Sequence, residues 1–411
     1  MGRSFPMIDA NRDQSRHRGA LSVLSFTVFL DLVGFGMILP LLPFYAQTFG
    51  ASSFQIGLLF ASYSLAQFVF SPIWGRLSDR LGRRPLLLAS IFGGFCAYLL
   101  FAAAGSLVVL CVARTLAGAA AANYTIAQAY VADVTRPEER AKAMGWIGAA
   151  FGLGFVFGPA LGALLSHWGA VAVPLGAAIL TAANFLLVWA KVPESAPYSA
   201  PTKSRAGASW LGGRFLREIS TRSALPSLII LYGIVILGFS AMEATLALLC
   251  EDRLAFGIRE TAWLFVFVGL VITVVQAGLI GRLVKRYGEG RILLTGVLGM
   301  AVGLILLAQV ETLSRLLLAI GLLAVGSGLF NPTSFSLMSQ LAPADAQGGV
   351  LGFARSMGAL ARVIGPIWGG WSFQHLGTVW PFLSAGILMI MSAIVIFRLL
   401  PRLLAQLAAV D

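Results

Sequence analysis

The chain alternates long apolar runs with short polar breaks. Apolar stretches occupy about residues 20–45, 54–74, 86–104, 107–131, 142–165 and 171–192, then 224–250, 260–281, 292–310, 314–340, 349–373 and 379–398. Each is close to the ~20 residues with which an α-helix crosses a hydrocarbon core. None shows the short alternating segments of a membrane barrel, so the pattern predicts an all-α membrane protein with twelve transmembrane helices. Residues 1–19 form a polar N-terminal tail without a cleavage pattern. Residues 193–222, with three prolines and several serines, form a linker too long for a turn between helices. A six-helix bundle is expected at 20–192, a second at 223–398, and a short C-terminal tail at 399–411.

Composition supports this. The chain is 58% hydrophobic and 11% charged with a mean hydropathy of +0.87, whereas soluble domains carry roughly 25% charged residues. The formal net charge of +12 does not imply nucleic acid, because the basic residues sit at the ends of apolar runs. Of the 29 Lys and Arg, only Arg253, Arg259 and Arg315 fall on one side when the runs are threaded back and forth. Arg114, Arg355 and Arg362 lie inside runs, and all the others fall on the opposite side. The positive-inside rule then places both termini in the cytoplasm, and an inner membrane is expected. Cys96, Cys111 and Cys250 have no ligand-like spacing, so neither a metal site nor a disulfide framework is predicted.

One charged stretch organises the rest. Gly75-Arg76-Leu77-Ser78-Asp79-Arg80-Leu81-Gly82-Arg83-Arg84-Pro85 reads as a loop between the second and third runs, with Gly75 and Gly82 bracketing a tight turn. A degraded copy, Gly281-Arg282-Leu283-Val284-Lys285-Arg286-Tyr287-Gly288, begins 206 positions on and lacks the acid. Gly158-Pro159 recurs as Gly365-Pro366, and Phe49-Gly50 as Phe256-Gly257, each 207 positions on. A shared offset across three features predicts two duplicated halves.

The charged stretch resembles the signature between the second and third spans of the major facilitator superfamily, and the likeness covers the whole chain. The resemblance implies two pseudo-symmetric six-helix bundles, with Gly75, Asp79, Arg80, Gly82, Arg83 and Arg84, together with Asp133 at the end of span four, as a conformational latch. In span five, Gly145, Gly154, Gly158, Pro159 and Gly162 are spaced as in the antiporter signature of drug exporters, with Ala163 replacing its last glycine. Physically this is a flat helix face on which another backbone can lie, with a proline that permits a bend. Arg114-x-x-x-Gly118 resembles the fourth-span motif, where the basic residue is implied in proton transfer, although the usual glutamine is Ala117 here.

A charge at the bilayer centre costs about 3 kcal/mol on insertion scales, so each one asks for a reason. Asp31 lies about twelve residues into span one, before Gly34 and Gly36 and with Pro40 and Pro43 beyond. It either pairs with an arginine to join two helices or exchanges a proton. The stretch resembles the first span of twelve-span drug:proton antiporters, which implies the second role. Glu243, deep in span seven, is either neutral and structural or a second proton or cargo acid. Arg114 heads a stripe of Gly118, Ala121, Thr125 and Gln128 on one helix face. Arg355, Gly358, Arg362, Gly365 and Gly369 line one face of span eleven. Arg362 cannot shed its charge; it pairs with Asp31 or Glu243, or clamps an anionic cargo.

With both acids ionised, Asp31 and Glu243 balance Arg114 and Arg362. Protonating one leaves the interior positive and repels a cationic cargo, which is what antiport requires. Asn123, Gln128 and Asn331, with Gln67, Tyr124 and Gln276, supply orienting hydrogen bonds. Phe35, Phe239, Trp263, Phe335 and Met338 offer an adaptable apolar wall.

These readings converge on a secondary transporter rather than an enzyme: a monomer in lipid, without cofactor, exporting small amphipathic compounds against protons. It resembles the tetracycline-type drug:proton antiporters. A transporter of an anionic metabolite or lipid, using Arg362 and Arg355, is the alternative, and a receptor or channel the more distant one.

Overall fold

The structure, a computed structural model, describes residues 9–135, 137–194, 224–342 and 347–407. The first six spans lie within Asp9–Gln47, Ser53–Leu81, Arg83–Ala102, a broken pair Leu107–Ala120 and Asn123–Val134, Pro137–Leu165, and Ala172–Lys191. The second six lie within Leu225–Leu254, Ile258–Tyr287, Glu289–Leu307, Leu313–Leu341, Gln347–His375 and Trp380–Leu407. Eleven of these helices are long and apolar enough to cross a membrane. Pro137–Leu165 supplies the twelfth, its described apolar part running over 152–168. No strand occurs among the described residues.

Local chemistry sets the helix ends. Ser52 Oγ accepts the Gln55 N–H while Gln55 Oε1 accepts the Ser52 N–H, a reciprocal cap on span two. Ser106 caps span four and Thr312, 206 positions on, caps span ten in the same way. Gly82 (φ 98°) and Gly288 (φ 80°) turn the chain between spans two and three and between eight and nine, in a region that only glycine enters freely.

Three expectations change. Gly75 to Leu81 are the last turns of span two rather than a loop, Gly75 is not at the bend, and Gly82 alone makes the turn. The first helix starts at Asp9, so the second half of the expected tail is helical. Span four is not one helix: it breaks at Ala121 and Ala122, which divides the expected stripe between two segments. The cause lies in the neighbours. Trp74 Nε1 donates to the Ala119 carbonyl, Ser90 Oγ to that of Ala120 and Gln67 Nε2 to that of Ala121. Side chains thus satisfy the carbonyls that the break releases inside the bilayer. The 195–222 part of the expected linker and the first eight residues lie outside the described residues.

Helices in lipid gain little from burying apolar surface against one another, so close packing by small residues decides which pairs meet. A Cβ on Gly158 would lie 2.7 Å from the Val33 carbonyl and 2.8 Å from Gly36 Cα, and one on Gly162 would lie 3.1 Å from the Met37 carbonyl. Span five therefore lies backbone to backbone on span one, through the glycines of its motif. Span eleven repeats the arrangement on span seven: a Cβ on Gly369 would lie 2.7 Å from the Ala241 carbonyl. Gly145 falls within the span-five helix, but its surroundings lie outside the described residues.

Candidate functional site

The span-five and span-eleven contacts fix the halves of spans one and seven that carry Asp31 and Glu243. The Asp31 carboxyl is half-buried and accepts the Asn123 Nδ2–H at 2.8 Å through Oδ1. Asn123 Oδ1 in turn shares the single Ser90 hydroxyl proton with the Ala120 carbonyl. Arg114 is 4% exposed, with its guanidinium over the Tyr63 ring at 4.5 Å and its Nε buried without a hydrogen-bond partner. Tyr63 lies within electrostatic reach of Asp31, Arg114 and Arg362, and Tyr98 within reach of Asp31 and Arg114. Glu243 feels both Arg362 and Arg114. The two acids and two deep arginines thus share one electrostatic cluster spanning both halves.

Within that cluster no carboxylate touches a guanidinium: among the described residues neither Asp31 nor Glu243 makes an ion pair within 4 Å. The expected direct pair between Arg362 and one of the acids is therefore not formed. Arg362 is exposed on its helix face. Arg355 donates to Gln128 Oε1 at 3.2 Å, a contact between the halves, and its guanidinium lies 5.7 Å from the Phe335 ring centroid. Asn331 turns back onto span ten, donating to the Ser327 carbonyl and hydroxyl, and no contact with the acids is recorded for it.

Sequence reasoning did not single out Tyr63, Tyr98 or Ser90 for this cluster. A signal existed in Ser90, a hydroxyl on an otherwise apolar face of span three. The tyrosines gave none, because their hydroxyls and rings suit a core equally well.

At the face carrying the charged signature, Arg83 gathers the latch. It is ion-paired with Asp79 one turn before it and, through Nε at 2.9 Å, with Asp133, and it donates to Ser78 Oγ at 2.6 Å. Glu194, at the end of span six, accepts the backbone N–H groups of Arg83 and Arg84 and so caps span three. Arg84 donates to the Trp189 carbonyl at 2.6 Å. Arg80 has no recorded partner among the described residues. At the opposite face the halves meet: Gln47 Nε2 donates to Glu251 Oε2 at 2.8 Å, and the Phe54 N–H to Gln374 Oε1 at 3.2 Å. Gly57 and Gly370 interleave there with Pro366 and Ser53. No group of metal-ligating side chains occurs among the described residues.

Twelve apolar helices with charged side chains buried among them define a multi-pass membrane protein. The model of the Major Facilitator Superfamily matches residues 24–280 and 254–409, and the chain belongs to that family. It is therefore a transporter and not an enzyme. The class C tetracycline resistance protein of Escherichia coli is 32% identical over 356 residues, covering 86% of this chain and 89% of the relative. Multidrug resistance protein 2 of Bacillus subtilis (strain 168) is 28% identical over 379 residues, 90% and 92% of the two chains. The crystal structure of the human organic anion transporter MFSD10 (TETRAN) superposes with a TM-score of 0.70 at 26% identity, covering 92% of this chain and 99% of that one. Relatives of the drug-efflux type make this a drug transporter in broad class.

Proposed function

We propose that the protein exports small amphipathic compounds in exchange for protons, by alternating access, as a monomer in a cell inner membrane with both termini cytoplasmic. The observation that carries this reading is that Glu243 lies within reach of Arg362 and Arg114, and Asp31 within reach of Tyr63, which both arginines also approach, while neither acid makes a direct ion pair among the described residues. A carboxyl not committed to a guanidinium takes up a proton without breaking a pair. Asp31 and Glu243 are then the exchanging acids, and Arg114 sets the field in which they titrate.

Asn123 orients Asp31, while Gln128 and Asn331 belong to the cargo path with Arg362. The duplicated halves at 20–192 and 223–398 rock about the cluster, the arrangement common in transporters built from repeats. Contacts at the Glu251 end and the Arg83 latch support a two-sided cycle. The basic residues crowded at the signature face support a cytoplasmic assignment for it. Tetracycline and multidrug resistance proteins among the relatives support the cargo class.

The test is a susceptibility panel in an efflux-deficient bacterial strain, using tetracycline and ethidium. Wild type should raise the inhibitory concentrations and Asp31→Asn should not. In vesicles an imposed pH gradient should drive ethidium transport by wild type only. Resistance that survives Asp31→Asn would sink the assignment.

Arg362 favours a second reading, in which the cargo is an organic anion. Its guanidinium is exposed and unpaired among the described residues, with Arg355 two turns away, and a relative of known structure is an organic anion transporter. Under this reading Arg362→Lys abolishes fluorescein binding while Asp31→Asn leaves it intact.

A further inference from the structure

One turn from Asp31, on the side toward the signature face, two side chains are buried with a polar atom unsatisfied: Thr27 Oγ1 and Asn184 Oδ1. Thr27 is 0% and Asn184 1% exposed. Asn184 Nδ2 donates to the Thr27 carbonyl at 3.3 Å, so both orphan oxygens lie around one peptide group where spans one and six meet. Thr181, Thr245 and Thr333 turn onto their own helices, to the carbonyls of Ala177, Ala241 and Leu329, whereas Thr261, in the first turn of span eight, is buried without a partner as Thr27 is.

The place of this pair matters. Thr27 precedes Asp31 by four residues, on the same face, and a helical side chain leans over the turn before it. The Asp31 carboxyl therefore lies over Thr27. In an α-helix the Thr27 carbonyl is also the one that the Asp31 N–H bonds. Asn123 occupies one Asp31 oxygen, and Oδ2 has no hydrogen-bond partner among the described residues. One turn further toward the signature face, Leu24, Leu87 and Val188 belong to one buried apolar cluster, so the surroundings on that side are apolar.

The C-terminal half has no equivalent. At offsets of 206 and 207, Thr27 maps to Gly233 and Ile234, Asp31 to Leu237 and Gly238, and Asn184 to Ile390 and Met391. The positions equivalent to Asp31, Thr27 and Asn184 in the second half thus all carry apolar residues or glycine.

Two orphaned oxygens one turn from a carboxyl with a free oxygen supply the polar partners of a buried water, which makes about two to four hydrogen bonds to groups otherwise unsatisfied. We propose that Thr27 and Asn184 hold a buried water molecule against the Asp31 carboxyl group, a hydration site of the N-terminal bundle that donates to the carboxylate when Asp31 is ionised. Because the surroundings toward the signature face are apolar, the water is not a conduit to that face; it solvates the acid, and the proton leaves Asp31 on its other side. The ionisable groups facing Asp31 are Tyr63 of span two and Tyr98 of span three, with Arg114 of span four beyond them. Span five and the face of span six contribute none at this depth. The functional weight of the site rests on Asp31 being the exchanging acid.

Infrared difference spectra of the full-length protein in lipid nanodiscs, titrated in H2-16O and H2-18O, test this with water as the probe and no cargo. Wild type should show a protonated carboxyl band assigned by its loss in Asp31→Asn. It should also show an isotope-sensitive O–H stretch of a confined water that grows as that band disappears. Thr27→Val and Asn184→Leu should each lose the water band and move the midpoint of the Asp31 band to higher pH by about one unit, the size of one lost hydrogen bond to the charged form. Thr27→Ser, which keeps the hydroxyl, should restore both. An isotope-insensitive wild-type spectrum, or an unmoved midpoint in folded Thr27→Val and Asn184→Leu, would overturn the proposal. Should the variants not fold, the wild-type isotope band alone decides. The spectra read hydration without transport, so vesicles in which Asp31→Asn still couples would remove the proton-exchange reading and leave the water site standing.

Discussion

The Arg114 guanidinium carbon lies over Tyr63, 4.5 Å from the ring centroid, with its Nε buried and without an acceptor. A cation over an aromatic face in a desolvated site gains about 2 kcal/mol, which keeps the charge in place without neutralising it. Arg114 therefore stays available to the acids. Tyr63→Phe preserves the face and should keep pH-driven ethidium transport within about twofold, since the attraction is to the ring. Tyr63→Leu removes it and should lower transport by about tenfold, equivalent to ~1.4 kcal/mol. Equal activity of the two variants would show that the ring does not hold the arginine.

Much of this was legible in the chain. The glycines of span five are spaced so that their face is flat, and that face meets span one. The turn at Gly82 and its copy at Gly288 follow the duplicated register. What escaped was long-range. The break at Ala121 carries neither glycine nor proline, because it is made by Trp74, Ser90 and Gln67 of other helices bonding three successive carbonyls. Gly75 looked like half of a turn, yet helix-forming neighbours carry span two past it. Which acid meets which arginine depends on how two halves pack, and no local pattern encodes that.

The span-five interface discriminates between glycines. A methyl group on Gly158 meets backbone at 2.7 Å, and backbone cannot swing aside as a side chain can. Gly158→Ala should destabilise the protein by about 1–3 kcal/mol, the usual cost of overpacking. Gly75→Ala, with nothing within 4 Å of its Cβ, should be neutral or slightly stabilising, since glycine within a helix costs up to about 1 kcal/mol against alanine. Thermal denaturation in detergent with a fluorescent thiol probe of unfolding measures both. A Gly158→Ala protein as stable as Gly75→Ala would mean that the halves of the N-terminal bundle pack less closely than described.

The two acids on Arg83 should not be equivalent. Its Asp133 partner is 33% exposed and its Asp79 partner 61% exposed, while the arginine itself is 12% exposed. Exposed pairs contribute ~0–1 kcal/mol, so Asp79→Asn should change stability by less than about 0.5 kcal/mol. Asp133→Asn removes the better-shielded partner and should cost about 1–2 kcal/mol, in the range of charge-assisted hydrogen bonds. A double-mutant cycle with Arg83→Gln should recover most of the Asp133 effect as coupling energy. A larger effect for Asp79→Asn would place the anchor of the latch on span two instead of span four.

At the opposite face, Gln47 and Glu251 join the ends of spans one and seven across the two halves at 2.8 Å, and Phe54 and Gln374 join spans two and eleven. In the alternating-access cycle proposed above these contacts form when that face closes, so removing them should favour its opening. A hydrogen bond to a charged acceptor is worth about 1.5–3 kcal/mol, enough to shift a two-state population by tenfold or more. Glu251→Ala should therefore raise the fraction open at this face. Glu251→Gln, which can still accept from Gln47, should raise it less. Spin labels on Ala51→Cys and Arg259→Cys, in a background with Cys96, Cys111 and Cys250 replaced, report the separation directly by pulsed electron resonance. Glu251→Ala should populate a longer distance that wild type shows only weakly. Identical distance distributions for wild type and Glu251→Ala would mean that this bond follows closure, and that the glycine contacts of Gly57 and Gly370 with the facing helices hold the face shut on their own.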